Sequence, residues 1–317
     1  MMAGPLDPLA DLPPPFAEPL RALVAGTLPP NVVLMRLLSE ADRPDLVDRA
    51  FVALAGERLA AEARARIAEA ERLHRAHPDA WRTIRSVLAE ARHDAAPAAG
   101  ADGIGYWTAV FDRVALLSPG AGAALYALGD DALLDRLTGE IVAALGRWSL
   151  LRTETEVLDL GCGPGRIAKA LAAHVRSVTG IDVSGQMIAA ARRACAGLEN
   201  VALAVTEGRD LGAFPGERFD LVLAVDSFPY LVLAGGDLAA RHVAEAARVL
   251  RPGGTLLIVN HSYRNDPALD AEDLARAAVS CGLDLVRRGT CDFALWDGLT
   301  FRLDKPARPE RSGAGDR

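Results

Sequence analysis

The residues best suited to chemistry lie together in one short stretch, Asp159-Leu160-Gly161-Cys162-Gly163-Pro164-Gly165. Three glycines alternate with other residues directly after an aspartate. Lacking a Cβ, they allow torsions that other residues avoid and let a ligand approach the backbone. Ile167 to Ala173 has helical composition. A helix opening beneath the turn would aim free N–H groups and the positive end of its dipole into the same space. A second acid, Asp182, follows about 20 residues after the first glycine, the spacing at which an acid in dinucleotide folds binds a ribose. The chemistry suits it, since a vicinal diol offers two donors and a carboxylate accepts both.

Strands and helices must position these residues. Val157, Leu158 and Leu160 form an apolar run fit for a strand covered on both faces. From about Leu150 strands alternate with helices, the pattern of a parallel sheet with crossover helices. Further strands are predicted over Ser177–Asp182, Val201–Val205, Phe219–Val225 and Thr255–Val259. Two more, over Leu283–Gly289 and Asp292–Leu303, form a closing pair. Helices are predicted from Ser184 to Ala196, from Leu238 to Leu250 and from Ala271 to Cys281, the last capped by Asp270. Arg251-Pro252-Gly253-Gly254 reads as a helix stop and turn. Ligands of such a sheet bind beyond the carboxyl ends of its strands. That rule gathers Asp159 to Gly165, Asp182, Thr206 to Asp210, Asp226 and Asn260-His261 on one rim.

The chain before the sheet has a different character. Residues 1–30 are proline-rich and expected to be extended or loosely helical and in part mobile. From Val32 to His77, apolar residues at helical intervals predict two or three amphipathic helices. The small residues near 95–103 predict a linker, with helices around Tyr106–Val114 and Asp130–Trp148 after it. The division expected is a helical domain over 1–149, a core over 150–304, and a disordered tail over 305–317 rich in proline, glycine and charge.

Hydrophobic residues make up 50% and charged residues 24%, a globular balance. A net charge of -7 argues against a broad nucleic-acid surface. The four cysteines, Cys162, Cys195, Cys281 and Cys291, show no close pairing and read as reduced thiols, neither a zinc site nor a disulfide framework. The start of the chain lacks a signal-peptide pattern and no run is long enough to span a bilayer, so a cytoplasmic protein off the membrane is expected.

The glycine stretch resembles motif I of the class I S-adenosylmethionine-dependent methyltransferases, hydrophobic-x-(D/E)-x-G-x-G-x-G, at Asp159, Gly161, Gly163 and Gly165. Ile181 to Met187 is similar to the family's second-strand segment, Phe219 to Val222 before Asp226 to its fourth-strand motif, and Arg248 to Leu256 to its helix-turn-strand before the fifth strand. The likeness covers about Leu151 to Leu303. It implies an α/β fold, a Rossmann-like seven-stranded mostly parallel sheet with flanking helices, here joined to an N-terminal all-α domain that would cover the cofactor. It implies S-adenosyl-L-methionine as methyl donor, cradled by Gly161, Cys162, Gly163 and Gly165, with Asp159 beneath and Asp182 on the ribose. Val183 and Met187 would flank the adenine, core packing being the other reading of Met187. Glu207 with Gly208 serves the adenine edge in one register, Asp210 in another. Asp226 joins the cofactor contacts. Tyr126 lies in a segment that resembles the family's pre-core cover, either as a contact or simply packed.

Motif I reports the donor and not the acceptor. Weak acceptor-side candidates are His261, Tyr230 and Tyr263, a backbone-bonded loop histidine being the plainer reading of His261. Asp226 with Asn260 lacks the further acid that a catechol-type metal site needs, so no metal is expected. A small-molecule acceptor ranks first, a protein or RNA second, and a cofactor-binding scaffold without activity is a separate alternative. The N-terminal helices are a candidate homodimer surface. A nicotinamide oxidoreductase fits less well, because the third small residue of its G-x-G-x-x-G/A turn falls at Arg166.

Overall fold

The computed structural model describes residues 14–55, 58–91 and 102–308. The expected mobile start up to residue 13, most of the linker near 95–103 and the tail beyond 308 lie outside the described residues. Internal contacts divide the chain into two compact units. Among described residues, one unit holds 14–91, Val110–Ile141 and Phe293–Asp297, and the other holds 102–109, Val142–Asp292 and 298–308.

The first unit is helical. It contains α1 (Pro14–Ala25), α2 (Pro30–Glu40), α3 (Asp45–Ala55), α4 (Ala61–Ala76) and α5 (Ala80–Ala91). The end of α6 (Gly103–Leu117), α7 (Pro119–Ala123), a 3-10 turn (Leu125–Ala127) and most of α8 (Asp131–Arg147) complete it. Of the two forms expected for the start of the chain, extended or loosely helical, residues 14–25 take the helical one, with Pro19 inside it. Prolines in a first turn lose only N–H groups that have no helical partner, so Pro14 and Pro15 open α1 without cost to its ladder. Three helices fill Val32 to His77, and α4 buries Ala63, Ile67, Ala70 and Leu73 along one stripe. Helix α5 was not anticipated. Buried Asn31 donates through Nδ2 to Tyr126 O at 2.9 Å and Leu295 O at 2.8 Å, and Glu140 Oε2 accepts from the Ala294 and Leu295 amides. These bonds hold Phe293–Asp297 within the helical unit.

The second unit is built on a seven-stranded sheet. Its elements in chain order are β1 (Glu156–Leu160), α9 (Arg166–Leu171), β2 (Ser177–Asp182), α10 (Gly185–Ala194), β3 (Val201–Val205), β4 (Phe219–Val225), α11 (Phe228–Leu233), α12 (Leu238–Val249), β5 (Leu250–Val259), α13 (Pro267–Cys281), β6 (Asp284–Cys291) and β7 (Leu299–Asp304). The strand order is β3-β2-β1-β4-β5-β7-β6. The first five run parallel, and β7 is antiparallel to both β5 and β6. The central strands are continuous apolar runs because helices cover both faces. Leu158, Val222, Ala224, Leu256, Ile258 and Phe301 join one buried cluster. At the amino ends of the strands, Glu156 accepts from Arg218 and Arg251, and Arg251 reaches Asp220 at 2.8 Å.

Several boundaries differ from expectation. Strand β5 begins at Leu250, since Leu250 pairs with Phe219 before a register shift accommodates Gly253 in the left-handed region at φ +82°. Helix α13 begins at Pro267, and Asp266, not Asp270, caps it by accepting from the Leu269 amide at 3.0 Å. The last strand begins at Leu299 because Phe293–Asp297 belongs to the helical unit. Lys305, expected in a disordered tail, is tied through Nζ to Ala247 O and Leu250 O, both at 2.7 Å.

Candidate functional site

Strand β1 lies between β2 and β4, so the chain's direction of winding reverses there and a crevice opens at the carboxyl ends. The glycine loop occupies that point. The amides of Gly161 and Cys162 both donate to Ile181 O, at 2.8 and 3.0 Å, which pins the loop to the end of β2. Gly161, Gly163 and Gly165 take φ values of +71°, +52° and +82°. A Cβ at Gly161 would sit 2.4 Å from Ser227 Cβ, and one at Gly165 2.9 Å from Ala191 Cβ. Both therefore require glycine by torsion and by space. Helix α9 is only six residues long, which limits the dipole contribution expected from it.

Two carboxylates flank this loop. Asp182 is buried, and its Oδ2 accepts from the Gly163 amide while Oδ1 accepts from the Ser184 amide, each at 2.9 Å. Asp159, 1% exposed, has an Oδ2 with no hydrogen-bond partner among the described residues. Burial pushes its pKa up to about 7; Arg166 opposes the rise and Asp182 adds to it. Burial, then Asp159 and Asp182, push the Cys162 thiol far up, so it is no nucleophile at neutral pH.

On the β2–β3 side, Val183 packs where a Cβ on Gly208 would come within 2.5 Å of its Cγ1. Ile104 of α6 borders the same space, its Cγ2 3.2 Å from where that Cβ would stand, a neighbour with no motif to announce it. The Met187 side chain is 2% exposed and its amide donates to Ser184 Oγ at 3.1 Å. Glu207 is exposed. Asp210 accepts from the Gly212 amide at 2.8 Å and closes a local turn.

On the β4–β5 side, Asp226 and Asn260 follow the last paired residues of two adjacent strands, and Asn260 Nδ2 donates to Asp226 Oδ1 at 2.7 Å. Tyr263 OH donates to the same oxygen at 3.0 Å and lies 3.3 Å from Tyr230 OH. The Tyr230 ring meets Trp107 edge-on at 4.9 Å. Ser227 donates to Leu160 O at 2.6 Å, which sets this cluster one residue from the glycine loop. Ser227 lies in the segment Asp226-Ser227-Phe228 that resembles the fourth-strand motif, whereas Trp107 belongs to no motif.

His261 stands apart from that cluster in its bonding. It is 4% exposed, its Nδ1 lies 3.1 Å from Asp270 Oδ1, and it packs on Phe228 and Phe301. Its partner is thus a side-chain carboxylate and not the backbone expected. Tyr126 lies in the helical unit, stacked on Trp296 at 4.9 Å. Among the described residues, no group of three His, Cys, Asp or Glu is arranged to hold a metal ion.

The two unequal carboxylates beside a glycine loop suit a ligand rich in donors and positive charge better than a pyrophosphate. Residues 158–258 match the family model described as a methyltransferase domain. The demethylmenaquinone methyltransferase of Tropheryma whipplei (strain Twist) is 38% identical over 108 residues, 34% of this chain and 42% of that protein. The phosphatidylethanolamine N-methyltransferase of Cereibacter sphaeroides is 41% identical over 124 residues, 38% of this chain and 58% of that protein. The chain thus spans about half the length of these curated relatives. In fold it is similar to magnesium protoporphyrin IX methyltransferase from Synechocystis PCC 6803 with bound S-adenosylmethionine, at a TM-score of 0.50 and 18% identity, covering 65% of this chain and 99% of that one. By residues 158–258 the chain carries a segment that matches a methyltransferase domain, and it folds as the seven-stranded sheet of that kind of protein.

Proposed function

We propose that the chain transfers a methyl group from S-adenosyl-L-methionine to a small-molecule acceptor. The observation that carries this reading is the Asp182 carboxylate, bonded at once to the glycine loop and to the start of α10. Two backbone donors orient it, and a carboxylate is the group that accepts from both hydroxyls of a diol. Asp159 offers a buried, unfilled acceptor that a cationic donor group would satisfy. When bound, S-adenosylmethionine supplies an electrophilic methyl carbon on a positively charged sulfur. The protein's part is alignment and exclusion of water, for which the pinned loop and the packed Val183 and Met187 provide rigid walls. The unpaired thiols accord with a reducing compartment such as the cytoplasm. A polyanionic acceptor fits poorly beside Asp159, Asp182 and Asp226 on a chain of net charge -7.

Isothermal titration with S-adenosylhomocysteine tests the reading. The chain should bind it and ignore NADH; binding of NADH alone would return the oxidoreductase. If S-adenosylhomocysteine binds but no labelled methyl reaches any of a broad small-molecule panel, the scaffold alternative holds instead.

A further inference from the structure

We propose that the cluster of Asp226, Tyr263, Tyr230 and Trp107 is the acceptor subsite, and that it takes an amine. This rests on the methyl-transfer reading above and names the class of its substrate.

The cluster is a built arrangement. Asp226 and Asn260 are non-glycine residues in the left-handed region, at φ +57° and +67°. Such torsions persist where the surroundings hold them, and they concentrate at functional sites. Here Asp226 N donates to Val259 O at 2.9 Å, and the Asn260 side chain fixes the Asp226 carboxylate. Tyr263 bonds to that carboxylate, Tyr230 lies beside Tyr263, and Trp107 lies beside Tyr230. Tyr230 and Tyr263 meet at 5.7 Å and 79°, and Tyr230 and Trp107 at 4.9 Å and 64°. Tyr263 is 41% exposed, so the cluster opens to solvent. Aromatic faces around a carboxylate attract an organic cation, and more strongly as water is excluded. The neighbouring Ser227 rests against Gly161, which brings the cluster to the glycine loop.

The charge flow of the reaction selects the nucleophile. In transfer to an amine, the nitrogen lone pair forms the N–C bond, and the C–S bond breaks with its electron pair left on sulfur. The positive charge passes from sulfur to nitrogen, and a proton then leaves nitrogen for water. Charge developing on nitrogen is stabilised by Asp226 and by the ring faces. An oxyanion nucleophile would instead be repelled by Asp226. A neutral hydroxyl would need a base, and the cluster lacks a strong one. Burial, then Asp226, hold the Tyr230 phenol well above its ordinary value, and His261 is enclosed with Asp270. Asp226 Oδ1 already accepts two hydrogen bonds.

The test titrates the full chain, saturated with S-adenosylhomocysteine, with tetramethylammonium and with tert-butanol as an uncharged molecule of similar bulk. The cation should bind at least tenfold more tightly than the alcohol. Asp226→Asn and Tyr230→Leu should each weaken the cation at least fivefold, while cooperative thermal unfolding shows that the variants fold. Asparagine tolerates the left-handed torsion, so the first variant keeps the backbone. Equal binding of cation and alcohol, or cation affinity unchanged in Asp226→Asn, overturns the amine assignment alone. Failure of the unaltered chain to bind S-adenosylhomocysteine overturns the reading beneath it.

Discussion

Gly163 N donates to Asp182 Oδ2 at 2.9 Å, fastening the glycine loop to the end of the neighbouring strand. The other oxygen takes the Ser184 amide, so both atoms of the carboxylate serve as acceptors for the backbone. The acid and the loop therefore form one rigid unit, and a substitution at one disturbs the other.

Asp182→Asn puts this to work. An amide has one carbonyl oxygen, so one backbone N–H loses its acceptor and faces an NH2 group. A buried donor left without a partner costs about 1–3 kcal/mol. The variant should unfold at lower temperature and bind S-adenosylhomocysteine at least tenfold more weakly by isothermal titration. Affinity within twofold of the unaltered chain would remove Asp182 from the ribose role.

Gly161→Ala tests the loop by crowding. Its new Cβ would meet Ser227 Cβ at 2.4 Å, and φ +71° would be strained for alanine besides. Overpacking of this kind costs about 1–3 kcal/mol, and the torsion roughly 1 kcal/mol more. Ser227→Gly in the same chain removes the steric part and leaves the torsion, with Ser227→Gly alone as the reference for the lost Ser227 bond to Leu160 O. Denaturant titration should show Gly161→Ala strongly destabilised and the double variant partly restored. If the second substitution restores nothing, the contact is not the source of the cost.

Much of this arrangement was legible in the sequence, and for identifiable reasons. Strands buried on both faces are unbroken apolar runs, and their polar ends mark one rim, as with Asp182 and Asp226. The runs at Ser177–Asp182, Val201–Val205 and Phe219–Val225 needed no correction. What escaped depends on tertiary partners. Phe293 and Leu295 read as a strand continuing to Leu303, but Trp296 stacks on Tyr126 and the segment leaves the sheet. Asp270 and Asp266 both precede the helical run, and only the fold shows which of them caps it and which binds His261. The six residues of α11 are too few for a helical period to register. Trp107 gains its place at the rim from α6, far from any strand end in sequence.

Asp159 makes ligand-free stability depend on pH in a stated direction. Its folded pKa, about 7, lies above the ordinary 3.8, so the folded chain holds the proton more tightly than the unfolded chain. The stability this brings is fully present below about pH 4 and is lost as pH rises through 7, a swing on the order of 4 kcal/mol. Asp159→Asn lacks the swing. Denaturant titrations of both chains should therefore give a stability difference that grows in favour of Asp159→Asn from pH 4.5 to 7.5 and then levels off. A difference that stays constant across that range would show Asp159 to be unshifted.

The pair His261–Asp270 has the opposite sign. Burial would raise the Asp270 pKa, but hydrogen bonds from His261, Arg264 and Ser262 outweigh it and hold the carboxyl at about 2. A depressed carboxylate contributes stability that is present above its unfolded pKa near 3.8 and lost as pH falls toward 2. His261→Gln removes one of those donors from a position enclosed by Phe228 and Phe301. A hydrogen bond to a buried charge contributes about 1.5–3 kcal/mol. The variant should be less stable by that order at pH 7, and the difference should shrink as the solution is taken from pH 4 to pH 2. With the ring enclosed and its Nδ1 turned to Asp270, it should also keep the pH profile of methyl transfer, once an acceptor is in hand. Loss of an alkaline or acidic limb of that profile in His261→Gln, with stability unchanged, would instead make the histidine a proton carrier at the rim.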